Sequence, residues 1–134
     1  MKPIAITALC VLVAGCATTD VQPLTQSSFK IATTAAPACG PSGARKVANK
    51  AASIEVIKRG HDRFIYANSA QDSFNSGGAY YGGIYGSYTS FQQGLVVQLV
   101  PQGDPRYHDA LSARQMLGPE WQQIVAEGMS NTCT

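Results

Sequence analysis

Two His-Asp pairs have side chains that could carry out acid-base or metal chemistry. His61 is followed by Asp62, and His108 is followed by Asp109. Two imidazoles and two carboxylates could ligate zinc if the two segments met in the fold, and one imidazole can transfer a proton. Adjacent side chains do not face one another on a helix or a strand, so neither pair is a catalytic dyad by itself. We predict that both pairs lie in polar turns, with catalysis by His61 or His108 as the alternative.

Composition and short motifs argue against several functional classes. Ten Lys and Arg against eight Asp and Glu give a formal net charge of +2, without the basic excess of a nucleic-acid-binding protein. No nucleic-acid partner is therefore predicted. The sequence contains no GxSxG elbow, no HExxH motif and no P-loop. It also lacks an apolar run of the ~18 residues that a membrane-spanning helix needs, so a transmembrane protein is not predicted.

The N-terminal segment has the pattern of a secretory signal peptide. Lys2 supplies a positive charge, and residues 4–14 are almost entirely apolar. This apolar stretch is too short to span a bilayer, and small residues precede Cys16, as signal peptidases require. The pattern predicts that residues 1–15 direct export and are then removed.

Residues Leu12–Cys16 read Leu-Val-Ala-Gly-Cys and resemble the lipobox of bacterial lipoproteins. The resemblance implies that the Cys16 thiol receives a diacylglyceryl group, that the chain is cut before Cys16 and that the new amino terminus is acylated. Val13 occupies the position that is usually leucine in the lipobox. Ala17 stands where an aspartate would imply retention in the inner membrane, so the family pattern implies the outer membrane. The alternative is an ordinary signal peptide, or a buried N-terminal helix, with Cys16 as a plain thiol.

The lipobox resemblance divides the four cysteines into two groups. It implies that Cys10 is lost with the signal peptide and that Cys16 carries lipid, which leaves Cys39 and Cys133. In an oxidising compartment such a pair most simply forms one disulfide. A zinc site would need further ligands at short spacing, and neither CxxC nor HxxxH occurs. We therefore predict a Cys39–Cys133 disulfide, no metal site and no cofactor other than the covalent lipid on Cys16.

Residues 17–38 are predicted to form a flexible linker. Ala, Thr, Ser, Gln and Pro dominate this segment, and its few larger apolar residues follow neither helical nor strand spacing. In this interpretation residues 16–38 hold the lipidated cysteine and the linker, and residues 39–134 form the globular domain. The alternative is that Phe29–Ile31 adds an edge strand to that domain.

The globular domain is predicted to be α+β, with a helix, then an antiparallel sheet of three to four strands, then two short helices. Apolar residues at helical spacing predict an Ala-rich helix over residues 44–59 that ends at Gly60. Residues 63–67 and 95–100 are predicted strands, and the second is apolar on both faces, which favours a central position. A turn is expected at residues 101–104.

The two C-terminal helices are predicted from their capping residues. Asp109 is expected to cap a helix that runs through Leu117 and stops at Gly118. Pro119 is expected to be the first residue of a second helix, which Gly128 ends. Helices that follow a small group of strands give the α+β class.

One segment, Gly77–Tyr88, holds five of the thirteen glycines and four of the six tyrosines. Tyrosine offers a flat apolar ring with a polar hydroxyl, so the segment could bind a glycan, a peptide or a protein partner. The alternative is a long hairpin or loop whose tyrosines cover the sheet. At least two of these tyrosines are expected to be exposed. The candidate contact residues are Tyr80, Tyr81, Tyr85 and Tyr88.

Basic residues are frequent in and just after the first predicted helix. A solvated helix face is the usual explanation of such a group, and contact with anionic lipid headgroups or peptidoglycan is the alternative. The residues are Arg45, Lys46, Lys50, Lys58, Arg59 and Arg63.

The Ala-rich helix, the segment Gly60–Tyr66 and the Leu-Gly-Pro-Glu-Trp sequence at Leu117–Trp121 resemble small proteobacterial envelope lipoproteins without assigned activity. We predict an outer-membrane lipoprotein that faces the periplasm or the cell surface and acts as a structural or interaction module. Its predicted partners are the membrane, through the lipid, and an envelope protein or peptidoglycan. The alternatives are a lipid-anchored periplasmic enzyme using His61 or His108, and a subunit of an envelope assembly or secretion complex.

Overall fold

A computed structural model describes the backbone of residues 16–81, 84–129 and 131–133, and the side chains of those ranges except residues 68–92. In chain order the elements are β1 (Ala17–Pro23), β2 (Ser28–Ala35), a short 3-10 helix (Pro37–Cys39), α1 (Gly40–Lys58), β3 (Arg63–Tyr81), β4 (Ile84–Leu99), β5 (Leu111–Ser112), α2 (Ala113–Leu117) and α3 (Trp121–Glu127). The strands form an antiparallel sheet in the order β1-β2-β4-β3-β5. The α+β class is confirmed, with five strands instead of three to four.

The hydrophobic core lies between α1 and one face of the sheet. Buried and partly exposed residues alternate along β2 and β4: Phe29 and Val97 are fully buried, whereas Lys30 and Val96 are partly exposed. The alternation follows the two-residue period of a strand. Burial of each large apolar side chain stabilises the fold by roughly 1.5–3 kcal/mol. Much of the helix surface that faces the sheet is alanine. The buried alanines of α1 are Ala44, Ala48, Ala51 and Ala52.

Residues 17–38 form two strands, so the prediction of a flexible linker over this segment is wrong. β2 lies inside the sheet between β1 and β4, and is therefore not the edge strand of the alternative interpretation. The alternating apolar pattern of β2 is weak in the sequence, because the small residues Thr33 and Ala35 occupy two of its buried positions. Thr33 also pairs with Thr19 of β1, with their hydroxyl oxygens 3.1 Å apart. The globular fold therefore includes β1 and β2 and does not begin at residue 39.

The two ends of the described chain lie side by side. Cys16 forms an isolated antiparallel bridge with Thr132, and the Ala17 amide donates to the Asn131 carbonyl at 2.8 Å. Directly after this bridge, Cys133 is bonded to Cys39, which confirms the predicted disulfide. Because this bond closes a loop of 94 residues, it restricts most of the chain.

The first helix ends where the sequence predicts but begins earlier. The Gly60 amide donates to the Ile57 carbonyl at 2.9 Å, and the His61 amide donates to the Val56 carbonyl at 3.1 Å. These two bonds form a Schellman motif, which requires a left-handed residue, and Gly60 has φ 81°. At the other end, the helix begins at Gly40 rather than at residue 44.

Asp109 does not cap the first C-terminal helix, so that prediction is wrong. α2 begins at Ala113, and the hydroxyl of Ser112 accepts from the Gln115 amide at 3.3 Å. The start is displaced because residues 111–112 pair with the beginning of β3 as the short strand β5. This tertiary pairing has no local sequence signal.

The predicted helix stops at Gly118 and Gly128 are confirmed. Both glycines have φ 86°, and the amide of each donates to a carbonyl four residues earlier in its helix. α3 begins at Trp121, so Pro119 precedes the helix and is not its first residue. The turn predicted at residues 101–104 is also present.

β3 and β4 form one long hairpin that contains both predicted strands. Their pairing runs from Phe64 opposite Leu99 to Tyr81 opposite Ile84, with irregularities after Tyr66 and after Ser76. The central position of β4 is confirmed. The Gly- and Tyr-rich segment belongs to this hairpin, with the backbone of Tyr80 opposite that of Tyr85. The side chains of the four candidate tyrosines, those of Tyr80, Tyr81, Tyr85 and Tyr88, lie outside the described residues, and their exposure stays a prediction.

Removal of the disulfide should destabilise the fold substantially. We expect the double substitution Cys39→Ser and Cys133→Ser to lower the free energy of unfolding by about 2–5 kcal/mol. Without the disulfide, the unfolded chain has a higher conformational entropy, which favours unfolding. Urea unfolding followed by circular dichroism measures this difference. Cys16→Ser is the matched control, since its exposed side chain lies outside the core. Equal stability of the double variant and the control would contradict the expected role of the bond.

Candidate functional site

Cys16 is held by its backbone while its side chain is exposed. Its carbonyl oxygen accepts from the Ala36 amide at 2.9 Å, and the next residue bonds to the C-terminal segment. Cys16 therefore lies directly before β1, at one end of the sheet. A group attached there would emerge from a fixed point on the domain. Residues 1–15 lie outside the described residues, so the signal peptide and the lipobox interpretation stay predictions.

A small cluster lies beneath this end of the sheet. Alanines from β1, β2 and α1 pack there with Val47 and with the partly buried cysteines of the disulfide. The helix passes the disulfide closely because residue 43 is a glycine. A Cβ atom at Gly43 would lie 3.1 Å from Cβ of Cys39 and 3.4 Å from Cβ of Cys133. The end of the fold that bears Cys16 therefore depends on a close contact that no sequence pattern had indicated.

Asp62 connects the start of β3 to the start of α2. Its carboxylate oxygens accept from the Ser112 hydroxyl at 3.0 and 2.9 Å and from the Arg114 amide at 3.0 Å. Its backbone carbonyl accepts from the Ala113 amide at 2.9 Å. A carboxylate is favourable at a helix N-terminus, where backbone amides lack partners within the helix. This geometry gives Asp62 a structural role as a cap from a distant segment.

Arg63 extends the same network toward the turn before β5. Its guanidinium donates to the Ala110 carbonyl at 2.9 Å and lies 5.5 Å from the ring centre of Tyr107. Its Nε is buried 3.9 Å from the Asp62 carboxylate, an ion-pair distance without a hydrogen bond. These contacts line a cleft of about 410 Å³ that also includes His61.

The two His-Asp pairs lie in irregular connections, which confirms the polar-turn prediction. His61 and Asp62 connect α1 to β3, whereas His108 and Asp109 lie in the turns before β5. His108 is exposed, with its ring edge-on to Tyr107 at a centroid distance of 6.1 Å. Within the described ranges, no three His, Cys, Asp or Glu residues come together as possible metal ligands. The structure therefore does not assemble the four-ligand zinc site considered from the sequence.

A second concave surface, which we call the helix groove, lies where α1, α2 and α3 meet. Its volume is about 420 Å³, and it combines two lysines with apolar side chains from the short helices. Such a surface could bind an anion that carries an apolar part. The four α1 residues of the groove lie at positions i, i+3, i+4 and i+7, a spacing that places them on one face of the helix and is readable from the sequence. The lining residues are Lys46, Asn49, Lys50, Ser53, Met116, Leu117 and Ile124.

The basic residues near α1 do not form one patch. Arg59 donates to the Glu55 carboxylate at 2.8 Å and lies 4.6 Å from the ring centre of Phe29. Arg63 belongs to the Asp62 network, and Lys50 to the helix groove. The solvated-face interpretation holds for Arg45 and Lys58, which are exposed, whereas Lys46 also lines the helix groove.

Loss of the Asp62 carboxylate should weaken the fold at the start of α2. We expect Asp62→Ala to lower the free energy of unfolding by about 1–3 kcal/mol, because a hydroxyl and a helix amide lose their acceptor. Asp109→Ala is the matched control at the other His-Asp pair, and its exposed side chain should tolerate the change within about 0.5 kcal/mol. Urea unfolding of both variants measures the difference, and equal effects would contradict the capping role.

Tyr66 should make stability fall at high pH. Its hydroxyl donates to Oδ1 of Asn49 at 3.0 Å, and burial raises the pKa of Tyr66 from 10.0 to about 12. Since folding favours the neutral phenol, its contribution is complete below pH 10 and is lost as pH rises through about 12. Urea unfolding across this range should show a steeper decline for the wild type than for Tyr66→Phe. Parallel pH profiles would show that Tyr66 ionises equally in both states.

Comparisons with protein families, with curated proteins and with solved structures find no match to this chain. Among the residues that the structure describes, no helix is long and apolar enough to cross a membrane.

Proposed function

We propose that this chain is a lipid-anchored envelope protein of the outer membrane, and that its domain is a structural or interaction module. The observation that carries the proposal is the position of Cys16 directly before β1, with an exposed side chain. The lipobox resemblance supplies the chemistry, namely acylation of this cysteine. The proposed domain faces the periplasm or the cell surface.

Two backbone hydrogen bonds at Cys16 and Ala17 are compatible with modification. Its carbonyl accepts from the Ala36 amide, and the Ala17 amide donates to the Asn131 carbonyl. Neither bond involves the Cys16 nitrogen or sulfur, which are the atoms that receive acyl groups in bacterial lipoproteins. Both bonds can therefore persist after cleavage and acylation. Two or three acyl chains, at ~0.8 kcal/mol per buried methylene, would hold the domain stably at a bilayer.

The strand that follows Cys16 determines how the domain would lie on the membrane. Because β1 begins at Ala17, no flexible linker separates the acylated residue from the sheet. The lipid would therefore fix one end of the domain at the bilayer surface and restrict its orientation. Such restriction favours a module that presents particular surfaces to partners in the envelope.

The Cys39–Cys133 disulfide supports an extracytoplasmic location. Structural disulfides persist in oxidising compartments and are rare in the reducing cytosol. This one joins the 3-10 helix before α1 to the segment that pairs with Cys16. It would stabilise the end of the domain that bears the anchor.

The enzyme alternative has less geometric support. The carboxylate of Asp62 is engaged with Ser112 and with the start of α2, and His108 is exposed on a turn. Substitution of His61 and His108 together separates the two functions, because a binding module should keep its activity. The complex-subunit alternative differs in its partner, and crosslinking in intact cells should then give one dominant heteromeric product.

Cys16→Ser should abolish lipidation. The substitution removes the thiol that would accept the diacylglyceryl group, so we expect no incorporation of radiolabelled palmitate and no partitioning into the detergent phase of Triton X-114 extracts. Cys10→Ser is the matched control, since it removes another thiol from the same N-terminal region and should leave both readouts unchanged. Labelling of Cys16→Ser, or no labelling of the wild type, would contradict the proposal.

A further inference from the structure

The β3-β4 hairpin extends past the end of the sheet at which Cys16 lies. Strand pairing places Ala17, Ala35, Phe91 and Ser73 in one row across four strands. Beyond this row, β2 has ended, and β3 and β4 pair only with each other in the described residues. We call residues 74–81 and 84–90 the distal hairpin. At ~3.4 Å per residue, the distal hairpin continues for about 24 Å beyond this row. Cys16 directly precedes Ala17 and lies on the same side of the row.

Three segments that reach the Cys16 end of the sheet or lie near it contain no charged residue. No charged residue occurs between Asp72 and Asp104, a segment that includes all of the distal hairpin and all of β4. None occurs between Lys30 and Arg45, where β2 ends and α1 begins, or after Glu127. The opposite end of the sheet carries the Asp62 network instead. The distal hairpin is therefore uncharged, whereas Asp72 lies one residue before the row and Arg45 and Lys46 are exposed on α1.

A two-stranded ribbon of this kind needs a partner surface. Isolated hairpins are marginally stable in water, and both edges of a ribbon present backbone groups that a neighbouring strand has not satisfied. The sequence of the distal hairpin offers no charged side chain beyond Asp72 to keep it solvated. A surface to which the Cys16 end of the domain is already attached is the simplest partner, because attachment raises its effective concentration and even a weak affinity then suffices.

We propose that the distal hairpin binds the headgroup region of the bilayer to which Cys16 is attached. This inference rests on the lipid anchor proposed above. Uncharged sequence next to the anchor suits a zwitterionic phospholipid surface, and tyrosine is enriched where membrane and water meet. The hairpin lies in the interface and does not cross the hydrocarbon core, because unpaired backbone groups are too costly there and the ~30 Å core exceeds its reach.

Tryptophan placed at two ends of the sheet tests this arrangement. Trp121 is first replaced by Phe to give a single-tryptophan background. Tyr85→Trp then reports on the distal hairpin, and Leu24→Trp is the matched control, exposed in the β1-β2 connection at the opposite end. Each full-length protein is isolated in its acylated form and reconstituted into phosphatidylcholine vesicles with or without brominated acyl chains. Tyr88→Trp provides a second hairpin probe, and the melting temperature of each variant is compared with the Trp121→Phe parent.

A membrane-bound hairpin gives blue-shifted emission and quenching by brominated lipid at position 85 or 88, and neither effect at position 24. Equal quenching at both ends, or none at the hairpin positions in folded variants, overturns the inference. A blue shift without lipid quenching, together with a crosslinked homodimer, also overturns it and indicates pairing with a second copy. In that case the backbone groups at the edges of the ribbon form hydrogen bonds with a second copy of the chain.

The lipid anchor and the hairpin contact are tested separately. Intact mass spectrometry of the same samples shows whether Cys16 is acylated, and a missing acyl group overturns the proposed function alone. The variants are then attached to vesicles by a maleimide-headgroup lipid coupled to Cys16 in a Cys10→Ser background. Quenching at the hairpin positions in these samples supports the contact, and its absence overturns it.

Discussion

The close packing of α1 on β2 and β4 is the constraint on which the rest of the structure depends. Alanines at the helix surface and Gly43 at its start allow the helix to approach the sheet and the disulfide without steric conflict. The large apolar side chains that fill the remaining space come from the strands, chiefly Phe29 and Val97, and from Ile54 and Val56 of the helix. Larger residues on the helix would separate the layers and displace the disulfide.

This packing explains why the segment at Cys16 and the C-terminal segment come together. The helix begins directly after Cys39, and the disulfide brings Cys133 to that point. The C-terminal segment can then extend the sheet edge by pairing with Cys16. The proposed anchor, the disulfide and the start of the helix therefore belong to one structural unit, in which movement of one part disturbs the others.

Local signals in the sequence were sufficient for the end of α1 and for the glycine stops of the three helices. The disulfide was predicted from the cysteine count together with the lipobox resemblance, and not from a local pattern. Local signals failed for β2, because Thr33 and Ala35 do not stand out as buried residues until β4 is beside them. They also failed at Asp109, because the cap of α2 comes from Ser112 and from Asp62, fifty residues earlier in the chain. The helix groove likewise requires three helices to meet, which no local pattern specifies.

The uncharged distal hairpin gives the proposed attachment a direction. Cys16 and the distal hairpin lie at one end of the sheet, whereas the Asp62 network lies at the opposite end. A domain held at its Cys16 end would direct the cleft beside His61 away from the bilayer. Ion pairs lose less solvation at a surface exposed to water than near a bilayer, so this orientation is also electrostatically favourable. Surfaces that recognise charged envelope partners are thus expected on the half of the domain most distant from the lipid.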